Sequence, residues 1–411
     1  MAVTVQEALD LIKYHIPKTK YEVIPIEYAT SRISADDIFA THIMPRFNNS
    51  AMDGYGVKIK DASQKVTVIQ TLLAGCKEEP KIKMGQCVKI MTGARVPNSV
   101  DAVIPQELVE IINETTIKLP KDIQESSHIR FVGEDIKNGE CLIQEGDDIN
   151  FAKITLLASQ GITHIKVYKK PKVTVFASGE ELKLHYQDVK KYQIYNSNTP
   201  TLIARAQELG CDVNFVGMAR DNVDSLKELI SNSLDSDLIV TSGGVSVGEA
   251  DFTKEAFEEM GVETIFDGII IKPGKPTVLG KIGNTTILNL PGNPLASALI
   301  FEMFGKILVQ KLSGSRNTNH NIIQTKLQED LSNKKGRITI IPGYFDGLAF
   351  NPSLQRSPGM VSTLSNCNSM IVLDKEVEFL KQSSEVNILP INWKFFTNNI
   401  DQKDFLTYAT K

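Results

Sequence analysis

The segment from Pro171 to about Gly314 alternates short apolar stretches with amphipathic ones, and this alternation restricts the possible folds more than any other feature of the chain. Five stretches have the length and apolar character of strands: Val173 to Ala177, Val213 to Val216, Leu238 to Thr241, Thr277 to Leu279 and Thr286 to Leu290. Four have helical periodicity: about Pro200 to Leu209, Val223 to Ser233, Phe252 to Met260 and Pro294 to Leu312. Because strands and helices that alternate in this way form layered sheets, the segment predicts a doubly wound, largely parallel α/β domain.

Residues at the helix ends agree with these assignments. Pro200 suits a first helical position, because a proline has no N–H to leave unsatisfied there. Gly210 and Gly261 directly follow two of the helical stretches, where glycine is the usual C-cap residue. We therefore expect a helix to begin at Pro200 and two helices to end just before these glycines.

The sequence on both sides of this segment is predicted to be rich in β-strands. Thr4 and Glu7 form a capping box that opens a short amphipathic helix, and irregular β-branched sequence follows to residue 170. Beyond residue 314, apolar runs between turn signals predict a small C-terminal β-barrel or sandwich. We expect a multidomain α/β plus β protein with boundaries at 1–170, 171–314 and 315–411, which agrees with about 100 to 200 residues per domain.

Composition argues against several classes of protein. The 45 basic and 49 acidic residues give a formal net charge of −4, so no global attraction to nucleic acid or to an anionic membrane is expected. The five cysteines and six histidines are scattered without a CxxC pair or a zinc-ligand spacing, so a protein-built transition-metal site is not expected. The N-terminus lacks a secretory signal pattern and no apolar run approaches the ~18 residues that span a bilayer, which predicts a cytoplasmic protein.

Small polar loops follow three of the predicted strands. They are Ser178 to Glu181, Ser242 to Asp251 and Pro291 to Pro294, the last of which opens a helix whose free N–H groups and dipole can hold an anion. Ligands of open α/β sheets bind at the carboxyl ends of the strands, so the three loops together predict a phosphate-shaped cavity. Each loop alone is weak support, because glycine after a strand is more often a plain turn. No P-loop motif and no dinucleotide-binding GxGxxG motif is present.

Lys272 and Lys275 lie three residues apart in the sequence Ile-Lys-Pro-Gly-Lys-Pro, which prolines stiffen and Gly274 bends. Lysines on a rigid loop suit an oxyanion such as phosphate or molybdate, because little side-chain and backbone entropy remains to be lost on binding. The alternative is a pair of solvated surface lysines.

Three carboxylates, those of Glu181, Asp221 and Asp251, flank the same loops. Carboxylates next to a phosphate site suit Mg²⁺ that bridges phosphate oxygens. Single acidic residues of this kind are otherwise usually helix caps or surface groups.

Three further polar stretches lie in the N-terminal part and lack periodicity. They contain Asp53 within Asn48 to Gly56, Thr92 within Met91 to Ala94, and Asp135 within Gly133 to Ile136. Such stretches are typical of loops that carry function, with a structural turn as the alternative.

Taken together, these segments resemble the signature sequences of the molybdopterin molybdenumtransferases, the family of MoeA and the gephyrin E-domain. The matching segments occur in the family's order over residues 49–294: NSAMDGY, MTGA with the following DAVIPQE, GEDI, SGEEL, SGGVSVGEAD, KPGKP and PGNP. The resemblance implies two intertwined N-terminal domains, an α/β molybdopterin-binding domain and a C-terminal β domain. It also implies a homodimer in which the N-terminal loops of one subunit face the site of the other.

The resemblance also implies the reaction and the role of each motif. The reaction is a Mg²⁺-dependent insertion of molybdate into adenylylated molybdopterin with release of AMP, and the implied protein partner is the molybdopterin adenylyltransferase. Lys272 and Lys275 hold molybdate, while Asp53, Thr92 and Asp135 approach the site from the partner subunit. Glu181, Asp221 and Asp251 bind the adenylyl-pterin or Mg²⁺. The remaining cofactor-binding positions are Ser178, Gly179, Ser242, Gly243, Gly244, Ser246, Gly248, Pro291, Gly292 and Asn293.

The chain departs from the family pattern in places. Many relatives carry a basic residue four positions before Lys272, where this chain has Gly268. A serine often follows PGNP after one residue, where this chain has Ala296. The segment Gln355 to Met360 matches the Ser/Gly-containing turn of the C-terminal domain only loosely. These differences bear on how the C-terminal domain contributes to molybdate binding.

Two other functions are compatible with parts of the sequence. The adenylyltransferase that makes the adenylylated pterin has a single domain similar to residues 171–314, but it would not need the N-terminal motifs or the C-terminal domain. A gephyrin-like scaffold would use the same fold to bind a peptide, but the intact SGGVSVGEAD and KPGKP segments favour catalysis.

Overall fold

The computed structural model describes residues 2–244 and 252–393 of the chain. Within these residues the chain forms two compact units. The first contains the described residues of 1–35, 145–150 and 165–411, and the second contains residues 36–144 and 151–164. No helix in the described ranges is long and apolar enough to cross a membrane.

The first unit contains a six-stranded sheet that confirms the predicted α/β domain. In spatial order its strands are Asp212–Ala219, Lys172–Ser178, Leu238–Ser242, Thr285–Leu290, Val278–Ile282 and Glu263–Asp267. The first four are parallel, and the last two are antiparallel to their neighbours. The strand Glu263–Asp267 was not predicted, because it lies at the sheet edge with three exposed residues and therefore has no apolar run.

Helices cover both faces of this sheet, which makes it doubly wound as predicted. Val175 packs on the face that also buries Leu202 and Leu299, whereas its neighbour Phe176 packs on the opposite face with Phe257. Successive strand residues point to opposite faces, so the strand is buried on both sides. The helices are Val5–His15, Asn198–Glu208, Val223–Ser231, Phe252–Glu259, Pro294–Ile300 and Lys306–Leu312.

Several helix boundaries agree with the sequence and two do not. The capping box of Thr4 and Glu7 is present, and the backbone of Gly210 and Gly261 is left-handed as expected after a helix. The helix predicted from Pro200 begins instead at Asn198, so Pro200 occupies its third position, where a backbone N–H is also not needed. The helix predicted from Pro294 to Leu312 contains a π-helical turn at Phe301–Gly305.

The N-terminal helix Val5–His15 belongs to the core of the α/β sheet. Ala8 and Ile12 are fully buried in the same cluster as Leu288 and Leu308. Val3, just before this helix, forms two backbone hydrogen bonds with the segment that precedes Lys272. Its N–H donates to the Gly268 carbonyl, and its carbonyl accepts from the N–H of Ile270.

The C-terminal part of the first unit is a second six-stranded sheet. In spatial order its strands are Ile271–Lys272, Ile338–Phe345, Ala349–Pro352, Ile323–Leu327, Glu385–Pro390 and Ser369–Leu373. Ile338–Phe345 pairs additionally with Ser369–Leu373, so the sheet closes on itself like a small barrel, as predicted. Leu331–Ser332 and Phe379–Leu380 form a two-stranded ladder, and Ser362–Ser365 is a short helix.

The second unit is rich in β-strands, which confirms that prediction for the N-terminal region. Its largest sheet has, in spatial order, Ala102–Pro105, Gly54–Val57, Gln86–Ile90, Lys65–Leu72, Thr116–Lys118 and Glu110–Asn113. Ile38–Phe39 pairs with Cys141–Ile143, Asn49–Ser50 pairs with Ile129–Arg130, and the helix is Phe151–Ser159. In the part of the chain that the structure describes, the remaining short strands are Tyr21–Pro25, His164–Tyr168, Leu182–Lys183 and Ile194–Tyr195, with 3-10 turns at Ile26–Tyr28, Ile59–Asp61 and Gln106–Leu108.

Candidate functional site

A cavity of about 710 Å³ opens at the carboxyl ends of the parallel strands of the α/β sheet. The three small polar loops meet there as the sequence predicted, because parallel strands end at the same sheet edge. The lining includes Ser178, Gly179, Glu181, Asp221, Ser242, Gly243, Gly244, Gly292 and Asn293. Pro291 directly precedes the last two, whereas Ser246, Gly248 and Asp251 lie outside the described residues.

Close packing of the loops explains the glycines after the strand Leu238–Ser242. Gly243 has a φ of +92°, and a Cβ on it would lie 2.3 Å from the carbonyl oxygen of Ser178. A Cβ on Gly244 would lie 2.6 Å from the Thr253 hydroxyl, which donates to the Gly244 carbonyl at 3.1 Å. A side chain at either position would push two loops apart, so glycine keeps their backbones together at the cavity wall.

The Asp221 carboxylate fixes the loop that follows the strand Lys172–Ser178. The Ser178 hydroxyl donates to its Oδ1 at 2.8 Å, and the Glu180 N–H donates to its Oδ2 at 3.1 Å. Each carboxylate oxygen therefore has one protein donor and retains a further acceptor position. The Glu181 carboxylate folds back towards Gly179, where an added Cβ would lie 2.9 Å from its Oε2.

Glu181 and Asp221 are suitable ligands for a hard divalent cation. Both carboxylates line the cavity, and Mg²⁺ is usually held by one or two carboxylates together with substrate phosphates rather than by a complete protein cage. Within residues 2–244 and 252–393 there is no group of three or more His, Cys, Asp or Glu side chains that could hold a metal ion. This donor set fits a cation that is bound jointly by protein and substrate.

Asn198 is a cavity residue that the sequence analysis missed. It is 8% exposed, and its Nδ2 donates to the Gly292 carbonyl at 2.8 Å and more weakly to the Ser242 hydroxyl at 3.4 Å. Its Oδ1 has no hydrogen-bond partner among the described residues. Asn198 thus joins two of the motif loops and presents an unsatisfied buried acceptor at the cavity. Its only signal in the sequence was the segment Asn-Ser-Asn shortly before Pro200. The predicted helix began at Pro200 and therefore did not include this segment.

The helix that begins at Pro294 is less available to an anion than the sequence suggested. The N–H groups of Leu295 and Ala296 donate to the carbonyl of Pro358 at 3.0 and 3.4 Å, and the N–H of Ser297 donates to the Asn293 carbonyl. Pro294 has no N–H, so the first turn offers few free donors, and the prediction that they hold an anion is corrected. The same contact brings the C-terminal barrel to the cavity, where Gly359 and Val361 are part of the lining.

The lysines of the KPGKP segment lie outside the lining of this cavity. Lys272 pairs with Thr339 of the C-terminal sheet, and a Cβ on Gly274 would lie 2.2 Å from Cδ1 of Ile300. The backbone of Lys275 is held in turn, because its carbonyl accepts from two N–H groups, at 2.9 and 3.0 Å. Both lysine side chains are exposed on this held backbone. Several contacts therefore hold the backbone of this loop, which is consistent with the rigid loop that the sequence predicts.

Two of the predicted N-terminal site residues contact each other in the second unit. Asp53 Oδ1 accepts from both the N–H and the hydroxyl of Thr92, each at 2.7 Å. The backbone bond, together with the hydroxyl bond, lowers the pKa of Asp53 below its ordinary value. Asp135 is also exposed, and its N–H donates to the Met44 carbonyl at 2.9 Å.

Comparisons with known proteins agree on one family. Residues 3–161 match the family described as MoeA N-terminal region (domain I and II), and residues 174–311 match the probable molybdopterin binding domain. A molybdopterin molybdenumtransferase of Haemophilus influenzae is 34% identical over 386 residues, which cover 91% of this chain and 95% of that protein. One of Staphylococcus epidermidis is 31% identical over 400 residues, which cover 94% and 95%.

A solved structure is similar over nearly the whole chain. The molybdopterin biosynthesis MoeA protein of Pyrococcus horikoshii superposes with a TM-score of 0.81 at 30% sequence identity. The superposition covers 96% of this chain and 100% of that one. The similarity therefore extends over the β-rich N-terminal region, the α/β domain and the C-terminal barrel.

Proposed function

Since the chain belongs to the MoeA family of molybdopterin molybdenumtransferases, which insert molybdenum during molybdenum-cofactor biosynthesis, we propose that it uses Mg²⁺ to insert molybdate into adenylylated molybdopterin and releases AMP. One observation carries the proposal. Nine of the site residues predicted from the sequence, from separate loops, line a single cavity of about 710 Å³. That volume is within the ~300–1,000 Å³ of small-molecule sites.

Adenylylated molybdopterin is the proposed occupant of this cavity. The glycine loop at Gly243 and Gly244 and the adjoining Gly292 let the ligand approach the backbone closely, since no side chain intervenes. The unpaired Oδ1 of Asn198 would accept a hydrogen bond from an N–H group of a heterocycle. Nδ2 already donates to the Gly292 carbonyl, so this acceptor is held in one orientation before the substrate binds.

Glu181 and Asp221 are the proposed Mg²⁺ ligands, with Asp251 as a third candidate. A bound Mg²⁺ would neutralise charge on the phosphoryl oxygens of the substrate. Ser178 and the Glu180 N–H keep the Asp221 carboxylate in place before binding, so little ordering remains for the substrate to impose.

Lys272 and Lys275 are proposed to hold molybdate. The C-terminal sheet and the packing of Gly274 on Ile300 fix the backbones of both lysines. This supports the proposal, because a fixed backbone limits the positions that the two ammonium groups can reach. Positioning an oxyanion beside the pterin and offsetting its charge would supply most of the catalytic effect.

We also propose that the active enzyme is a homodimer, with Asp53, Thr92 and Asp135 contributed by the partner. This proposal rests on the division of the motifs between two compact units of the chain. The hydrogen bonds from Thr92 keep Asp53 ionised, so it would act as a fixed negative charge or as a hydrogen-bond acceptor. The molybdopterin adenylyltransferase is the proposed source of the adenylylated substrate.

The direct test is an assay of the purified protein with adenylylated molybdopterin, Mg²⁺ and molybdate. We expect AMP to be released together with molybdenum cofactor, and we expect removal of Mg²⁺ by a chelator to stop the reaction. A protein that instead adenylylated molybdopterin from ATP, without releasing AMP in response to molybdate, would be an adenylyltransferase and would contradict the proposal.

A further inference from the structure

A second polar cavity lies in the first unit, away from the site described above. It has a volume of about 490 Å³ and shares no lining residue with the 710 Å³ cavity. It lies between the last helix of the α/β domain and the segment that leads into the C-terminal barrel. Its lining is Lys306, Ile307, Gln310, Arg316, Asn317, Thr318, Asn319, His320, Asn321 and Pro390.

The charge of this lining has one sign. Lys306 and Arg316 supply cationic groups, and none of the lining residues is acidic. His320 is a third group that can be protonated, although burial lowers its pKa. Lys13 adds a further ammonium at the rim, where its Nζ donates to the Asn319 side chain at 2.6 Å. Arg316 is paired with Asp147, behind the lining, at 3.1 Å. In a chain with a formal net charge of −4, this is a local concentration of positive charge.

Lys306 has no counterion in direct contact among the described residues. It is partly buried, and no hydrogen bond or ion pair to it occurs among the described residues. Glu302, one helical turn earlier, is instead bound by Arg205, with Nε to Oε1 at 2.5 Å and Nη2 to Oε2 at 3.0 Å. Burial lowers the pKa of Lys306, and the nearby Glu302 carboxylate, which Arg205 binds, offsets this lowering only in part. A partly buried ammonium without a contacting carboxylate is stabilised by any anion that reaches it.

His320 is oriented by the backbone next to Lys306. Its Nε2 lies 2.8 Å from the carbonyl of Met303, and a carbonyl can only accept, so Nε2 carries the proton and donates. Nδ1 has no partner in the described part of the chain. Met303 belongs to the π-helical turn Phe301–Gly305 that precedes Lys306 directly, and π-turns inside helices occur frequently at functional sites.

We propose that this cavity is a second binding site of the protein, which takes a tetrahedral oxyanion of the phosphate class. Lys306 and Arg316 donate to the oxyanion, and the hydroxyl and amide side chains around them complete its hydrogen bonds. His320 presents Nδ1, which accepts from a protonated oxygen of the oxyanion or donates once it has itself taken up a proton. The volume is within the ~300–1,000 Å³ of small-molecule sites, so the cavity has room for the free oxyanion or for one carried on a small polar molecule. The site is separate from the proposed active site, and its test does not depend on the insertion reaction.

The test follows the His320 resonance in protein labelled with ¹³C at histidine Cε1. The chain has six histidines, and His320→Gln assigns the signal by its loss. Inorganic phosphate is titrated at constant ionic strength into the wild-type protein, into Lys306→Met, and into the control Lys311→Met. Lys311 lies on the same helix but does not line the cavity. Following one residue separates this cavity from phosphate bound in the larger one.

We expect saturable shifts of the His320 resonance in the wild type and in Lys311→Met. In Lys306→Met the half-saturating phosphate concentration should be at least about tenfold higher, because one charge-assisted contact is lost. If Lys306→Met does not fold, Arg316→Gln is a second variant, since Arg316 is exposed. It should raise the half-saturating phosphate concentration in the same way. An unmoved His320 resonance up to about 50 mM phosphate, or equal shifts in wild type and Lys306→Met, would overturn the proposal.

A parallel titration with molybdate identifies the source of the oxyanion. Saturation by phosphate at lower concentration than by molybdate assigns the site to phosphate or a phosphorylated small molecule. Saturation by molybdate at lower concentration assigns it to holding the inorganic ion. In both cases the Lys306→Met variant must respond more weakly than Lys311→Met.

Discussion

The carboxamide of Asn198 donates to the carbonyl of Gly292 at 2.8 Å and thereby leaves its own Oδ1 as an unpaired acceptor at the larger cavity. The two residues are 94 positions apart in sequence, so no local pattern could have shown the contact. The bond fixes the orientation of the amide, because a carbonyl accepts a hydrogen bond only from Nδ2. Oδ1 can therefore bind only a ligand group that donates a hydrogen bond, and this is the role that we propose for Asn198.

Replacing Asn198 with alanine tests this role. The variant loses the acceptor for the substrate and leaves the Gly292 carbonyl unpaired. A buried polar group without its partner costs about 1–3 kcal/mol, so we expect the Kd for adenylylated molybdopterin to rise about 5- to 150-fold. Thr201→Ala, in the same helix but outside the lining, should leave the Kd unchanged. Equal Kd values for Asn198→Ala and the wild type would show that Oδ1 does not contact the substrate.

Asp221→Asn tests the proposed cation site. The amide retains the shape of the carboxylate and an oxygen that can accept from Ser178 or Glu180, but it loses the negative charge. We expect the Mg²⁺ concentration for half-maximal AMP release to rise about tenfold or more, with little change in Tm. Asp224→Asn is the matched control, since Asp224 is exposed and does not line the cavity. An unchanged Mg²⁺ requirement in Asp221→Asn would remove this residue from the list of ligands.

The Thr92 hydroxyl should contribute to the low pKa of Asp53. The folded-state pKa is lowered from 3.8, so the carboxylate is ionised throughout the neutral range. The contribution of its hydrogen bonds to stability is present above the unfolded pKa, and it is lost only as the pH falls through the lowered value. Thr92→Val removes the hydroxyl donor but not the N–H, so an NMR titration of Asp53 should give a higher pKa than in the wild type. Thr92→Ser retains the hydroxyl, and a pKa as high as that of Thr92→Val would contradict the assignment.

Mixed dimers test whether the active site is shared between subunits. At a molybdate concentration well below half-saturation of the wild type, Asp53→Ala and Lys275→Ala subunits should each form nearly inactive homodimers. A heterodimer of the two keeps one intact composite site, so random mixing should restore about a quarter of the wild-type activity. Both positions are exposed, and folding should therefore be unaffected. Heterodimers that form but have no activity would show that each site lies within one subunit.

The positions of the buried strands in the α/β domain were the part of the structure that the sequence predicted best. Buried parallel strands such as Leu238–Ser242 are continuous apolar runs, and their following loops must meet at one edge, so the cavity followed from local patterns. Periodicity could not distinguish the π-helical turn at Phe301–Gly305 from the α-helix around it, because all five residues are buried in any case.

Long-range contacts account for what the sequence could not predict. The N–H groups of Leu295 and Ala296 bind Pro358, more than sixty residues away, so the free helix N-terminus expected from the PGNP motif is largely occupied. The burial of Ile12 in the α/β core likewise has no local signal, since an amphipathic helix does not specify its partner.

The molybdate dependence of AMP release, measured for the wild type and for Lys275→Ala, tests the proposed reaction most directly. The wild type should release AMP from adenylylated molybdopterin only when molybdate is present. Lys275→Ala loses a charge-assisted contact of roughly 1.5–3 kcal/mol, so its half-saturating molybdate concentration should rise about 10- to 150-fold while its Kd for the pterin stays the same. Lys281→Ala serves as the control. AMP release by the wild type without molybdate, or an unaltered molybdate dependence in Lys275→Ala, would contradict the account.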